Sequence, residues 1–176
     1  DAATLARMVE AMATLQEAHN LEVASDWRTR GLAYDRAIWV ECAELLDHFG
    51  WKWWKHQSPD LAQVELELID IWHFGLSMLI RDDGRARPEA LACAGRRLAR
   101  LPAERRAPAD DAEAFRLSVE ALAAAAVAEK RFDVDAFVAA LAWLGVDPSG
   151  LYTSYVGKNV LNGFRQRNGY KDGSYR

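Results

Sequence analysis

Two acidic pairs constrain this chain more than any other feature. Glu41 and Glu44 lie in RAIWVECAELLDHFG, and Glu67 and Asp70 lie in LAQVELELIDIWHFG. Positions i and i+3 of a helix share one side, so each pair projects in one direction. Residues that a helix normally buries surround both pairs: Ile38, Trp39, Cys42, Leu45 and Leu46 for the first, Leu66, Leu68, Ile69, Ile71 and Trp72 for the second. The connection near Gly50 to Gln57 is short, which makes the two helices antiparallel neighbours. Four carboxylates then converge at one place in a bundle. Such groups repel one another unless a cation joins them. An all-oxygen set suits Mg²⁺, with Mn²⁺ as a substitute. One ExxE alone reads as a solvated face. Two on adjacent helices, both inside Trp-rich apolar sequence, read as a metal site.

At 176 residues the chain is long enough for one domain with a proper core, and 1–176 reads as one all-helical unit. No strand pattern or internal repeat is present. No run of about 18 apolar residues occurs, so no membrane-spanning helix is expected. Cys42 and Cys93 show neither metal nor redox spacing, and no leader pattern is visible, so a cytoplasmic protein with reduced thiols is expected. The net charge of −4 argues against direct nucleic-acid binding. Its distribution is uneven. From Leu151 to Arg176, five basic residues face one acid, a net of +4, which leaves −8 for the remainder. A basic tail on an acidic body suits an anionic ligand between them.

The chain begins with a helix over 1–22, on which Gln16 and Asn20 share a face at i and i+4. They read either as exposed polar residues or as amides that recognise a base edge. Residues 23–33 read as a loop, with Trp27 packed on the core. Tyr34 or Asp35 starts the first carboxylate helix, and Gly50 stops it. WKWWKHQ places three tryptophans and two lysines in seven residues. They are core, or one wall of a site for a flat anionic ligand. The second carboxylate helix has Ser58 as its cap, Pro59 in the first turn and Asp60 against the dipole. His73, three residues after Asp70, is a substrate contact, a satisfied core histidine or, less in keeping with oxygen ligands, a metal ligand. Residues 81–150 form a variable segment. Its first part is rich in Ala and Arg, with a helix at 88–100 and a mobile connection over 101–111. Helices follow at 112–129 and 132–145, then a turn at 146–150.

The final helix, expected to run to Phe164, carries Lys158, Asn162 and Arg165 at i, i+4 and i+7 on one face, with Tyr170 and Lys171 on a Gly-flanked loop beyond. Arg binds phosphate oxygens in a fork and Lys acts as a mobile point charge. Read alone, these residues are equally a solvated basic helix end. Beside a carboxylate cage they suit a polyphosphate. The combined chemistry is metal-assisted attack of water on a nucleoside triphosphate. No GxxxxGK[ST] loop occurs, so the chain is not a P-loop enzyme.

These stretches together, with LQEAHN, the DWR segment and GKNVLNGFRQRNGYK, resemble the dimeric all-α dUTP diphosphatases of the wider all-α NTP pyrophosphohydrolase group. The resemblance covers roughly 12–80 and 152–175. It implies Mg²⁺ ligation by Glu41, Glu44, Glu67 and Asp70, one of them acting as base for the water. It implies phosphate contacts from Lys158, Asn162, Arg165, Tyr170 and Lys171. Gln16 and Asn20 are placed at the uracil, and Trp54 and His73 near the nucleoside. Hydrolysis of dUTP to dUMP and pyrophosphate, action on dUDP, and a homodimer are implied as well. The rivals are a sibling pyrophosphohydrolase with another base preference and a non-catalytic helical binding protein. The complete acidic set and the intact basic tail argue against the second.

Overall fold

The computed structural model describes residues 2–81, 87–101, 107–170 and 173–174. Among them the regular structure is helical throughout: α1 (Ala2–Val23), α2 (Tyr34–Phe49), α3 (Leu61–Ile80), α4 (Arg87–Leu98), α5 (Ala112–Ala124), α6 (Val134–Leu144) and α7 (Pro148–Arg167), with one π turn, Ala125–Glu129, extending α5. None of these helices alone is long and apolar enough to cross a membrane.

The two carboxylate helices, α2 and α3, make the most extensive pairing in the fold. They are antiparallel, and the Asp60 N–H donates to His48 O at 2.9 Å, tying the start of one to the end of the other. Gly50 ends α2 with φ 97°, a conformation that a side chain disfavours. Its carbonyl accepts from Arg116 Nε at 2.9 Å, which anchors α5 to the turn. Gln57 Oε1 accepts from the backbone N–H groups of Trp51 and Lys52 and closes the connection. The cap of α3 is Asp60, whose side chain accepts from Gln63 N, not Ser58. Ser58, Pro59 and Asp60 all have starting chemistry. The backbone bond to His48 decides among them by holding Asp60 at the helix mouth.

α1 packs on α3 and α4, and α7 packs on α1 and α3. Trp27, Trp72, Phe115, Phe137, Tyr155 and Met12 are fully buried in the shared core. Trp27 lies there as its sequence context suggests. Trp72 stacks on Phe137 at 5.0 Å between centroids and donates from Nε1 to Met12 Sδ. Phe132 packs so closely on α3 that only a glycine fits at position 75, where a Cβ would come within 2.6 Å of the ring. The 146–150 segment is not a free turn. Asp147 caps α7 by accepting from Gly150 N, and Pro148 occupies its first turn. α7 also runs one turn past Phe164, so Lys158, Asn162 and Arg165 belong to one continuous helix. Of the connection expected to be mobile, 102–106 lies outside the described residues.

Candidate active site

α2 and α3 bring Glu41, Glu67 and Asp70 together, with one oxygen from each lying within 4.8 Å of the others. Octahedral Mg²⁺ takes oxygens at about 2.1 Å, so cis and trans ligands fall about 3 to 4.2 Å apart; the trio's spread lies just above that range, within reach of small side-chain rotations. Glu67 is buried, and the other two are partly buried. Glu44, expected as a fourth ligand, is exposed and stands apart from the trio. It is still close enough to raise the pKa values of Glu41 and Asp70. Crowding of like charges explains its outward position.

Burial, the Asp70 charge and a hydrogen bond with Glu67 push the Glu41 carboxyl up to about 8, so it holds a proton at neutral pH. Asp70 is also raised, by burial above all, although Lys158 Nζ lies 2.7 Å from its Oδ2. Lys158 is therefore the counter-ion of Asp70 here, a role its spacing did not suggest. His48 Nε2 sits 3.3 Å from Glu67 Oε1, another contact that sequence spacing did not single out.

Asp70 also lines a cavity of about 270 Å³ between α1, α3 and α7. Gln16, Asn20 and His73 line it with Asn162, Arg165 and Tyr170, so one space unites the amide, histidine and basic-helix residues. His19, Tyr34 and Gln166, to which the sequence reading assigned no role in the site, line it too. Three buried atoms on its lining residues have no hydrogen-bond partner among the described residues: His19 Nδ1, His73 Nε2 and Arg165 Nε. His73 Nδ1 lies 2.8 Å from Ile69 O and donates to it, which leaves Nε2 as an acceptor. Burial pushes this imidazole down to about 4, so it is neutral at pH 7.

Gln16 and Asn20 are not exposed; both are buried. Gln16 Nε2 donates to Asn20 Oδ1 at 3.0 Å and to Ser77 Oγ at 3.1 Å, and Asn20 Nδ2 donates to Ser77 Oγ at 3.0 Å. The Tyr155 hydroxyl donates to Gln16 Oε1 at 2.9 Å while its ring stacks on His73 at 4.2 Å. Ser77 and Tyr155 were missed because neither carries a spacing signal. Their partners lie on other helices: Gln16 and Asn20 for Ser77, and Gln16 and His73 for Tyr155.

Trp54 does not line this cavity in its own chain; it is 56% exposed and packs edge-on against Trp51 and Trp53. Among the described residues it is therefore not brought together with the amides and His73. Lys171 lies outside the described residues.

Against known proteins, a family model described as dUTPase matches residues 7–170. Comparison with curated proteins gives no match.

Proposed function

Because this chain belongs to the dUTPase family and is a dUTP-hydrolysing enzyme, we propose that its reaction takes place where the carboxylate trio meets the α1–α3–α7 cavity. One observation carries this reading: Asp70 belongs to both. In it, Glu41, Glu67 and Asp70 hold Mg²⁺ or Mn²⁺, and Glu44 completes the acidic set. A divalent ion bound there supplies positive charge against phosphate oxygens and acidifies water. Glu44, outside the trio, accepts the proton of the attacking water. Asn162, Arg165 and Tyr170 hold the phosphates, with Arg165 Nε as a buried donor that lacks a partner among the described residues. Lys158, now paired with Asp70, would be free for the phosphates with a cation at the trio, and Lys171 would add a further phosphate contact. Asn20, positioned by Gln16, meets the uracil edge, and the His73 Nε2 acceptor faces the nucleoside. dUTP yields dUMP and pyrophosphate, and dUDP is a further substrate.

The working unit in this proposal is a cytoplasmic homodimer. Trp39, Leu66 and Val160 expose large apolar side chains on α2, α3 and α7, which a second copy would cover. A nucleoside role for Trp54 then belongs to the other copy's cavity.

Incubation with Mg²⁺ and, separately, dUTP, dUDP, dCTP, dTTP and UTP tests the proposal, with product separation. We expect dUMP and pyrophosphate from dUTP, none with EDTA, and a loss of more than about a hundredfold in Glu41→Gln or Asp70→Asn. Turnover that survives EDTA or either substitution removes the metal cage. Equal turnover of dCTP removes the base assignment.

A further inference from the structure

Ser77 is completely buried and does not line the cavity, yet both amides at its base end converge on it. Its hydroxyl has one proton. The nearer oxygen acceptor is His73 O at 3.1 Å, one turn back on α3, with Asn20 Oδ1 farther away at 3.4 Å. With the proton given to His73 O or to the Tyr34 hydroxyl, which also hydrogen-bonds Ser77, Ser77 Oγ accepts from the amides, and both turn an N–H toward it.

This choice is decisive because the rest of the network tolerates the opposite one. Turning both amides over together keeps the Gln16–Asn20 bond, now from Asn20 Nδ2 to Gln16 Oε1. Gln16 Nε2 would then donate to the Tyr155 hydroxyl, whose own proton has Met12 O at 3.0 Å. The turned arrangement fails only at Ser77. There two amide oxygens would face one hydroxyl with a single proton to give, so one bare oxygen–oxygen contact would replace an N–H···O bond, and His73 O would lose the hydroxyl proton.

The orientation matters at the cavity. Gln16 has both amide hydrogens engaged within the protein. Asn20 uses one N–H on Ser77 and one Oδ1 lone pair on Gln16. It keeps one N–H and one lone pair, a donor–acceptor pair that matches the O4 and N3–H of uracil. Cytosine presents N4–H₂ and an N3 acceptor there, the reverse polarity, and would be served by the turned amide.

We infer that Ser77 is a positioning residue for base choice, fixing the Asn20 amide in the orientation that accepts uracil and rejects cytosine. This rests on the proposed placement of the base at Asn20. Thymine shares the O4 and N3–H edge, so Ser77 has no part in excluding its methyl group.

The test is kcat/KM for dUTP, dCTP and dTTP on the wild type, Ser77→Ala and Ser77→Cys. Ratios measured on one sample cancel any difference in folded fraction. In Ser77→Ala the dUTP/dCTP ratio falls by about tenfold or more, while the dUTP/dTTP ratio holds. Ser77→Cys, nearly isosteric and a weaker donor and acceptor, moves the same ratio in the same direction. An unchanged dUTP/dCTP ratio overturns the inference, as does an equal fall in both ratios, which would signal a merely loosened pocket. If neither variant turns over, calorimetric affinities for dUMP and dCMP read the same preference, and parallel loss of both overturns it. A wild type that does not prefer dUTP to dCTP would instead sink the base placement itself.

Discussion

Glu41 shows how a single residue reports on the site. Its carboxyl is pushed up to about 8 by burial and by Asp70, against an ordinary value of 4.5. The folded state therefore keeps a proton that the unfolded chain has released. The stability this contributes is complete below pH 4.5 and is lost as pH rises through 8. His73 acts in the other direction. Its folded value of about 4 lies below the ordinary 6.5, so stability is lost as pH falls from 6.5 through 4. The interval from pH 6.5 to 8 lies inside the Glu41 window and above that of His73. Metal-free protein should lose melting temperature across that interval, and Glu41→Gln, which is neutral throughout, should not. Added Mg²⁺ should reverse the loss only in the wild type, with proton release visible as a buffer-dependent binding enthalpy. Parallel melting curves for the two proteins would mean that Glu41 is ionised without metal.

Among the helices, α3 combines two demands. One face supplies Glu67 and Asp70, and the other packs so tightly on Phe132 that Gly75 has no room for a methyl group. Phe132 is itself held against Trp72 and Phe137, so it cannot swing aside cheaply. Gly75→Ala should destabilise the protein by about 1–3 kcal/mol despite the better helix propensity of alanine. Urea unfolding would check this, and a stabilised variant would show that Phe132 relocates freely. The antiparallel α2–α3 pair was legible in the sequence, because two apolar helices with a short connection have few other arrangements. The cap of α3 was not. Three adjacent residues offered starting chemistry, and a backbone bond to the previous helix chose Asp60.

Taken whole, the molecule leaves apolar side chains outside its own core. Val160 is 63% exposed and Trp53 91%. If a second copy covers these faces, light scattering should give twice the chain mass of 19.7 kDa. Val160→Glu should then shift the particle toward the monomer while leaving the helical spectrum intact, since the position has no buried role within one chain. A monomeric wild type at micromolar concentration would leave the dimer without support. The carboxylate trio and its cavity lie within one chain, so metal binding should survive dissociation even if nucleotide turnover does not.

Period and residue chemistry alone determined the helical class, the paired acidic helices, the basic face of α7 and the shared face of Gln16 and Asn20. Those are local properties, written within a few turns of one helix. Tertiary structure decided what depends on contact between helices far apart in sequence. It placed Lys158 on Asp70 across 88 positions and His48 on Glu67. It turned Glu44 outward, kept Trp54 from the cavity of its own chain, and put Ser77 behind Asn20. The physical reason is that a helix commits each side chain to a direction, whereas its partner and its pKa come from whatever the rest of the chain packs against it.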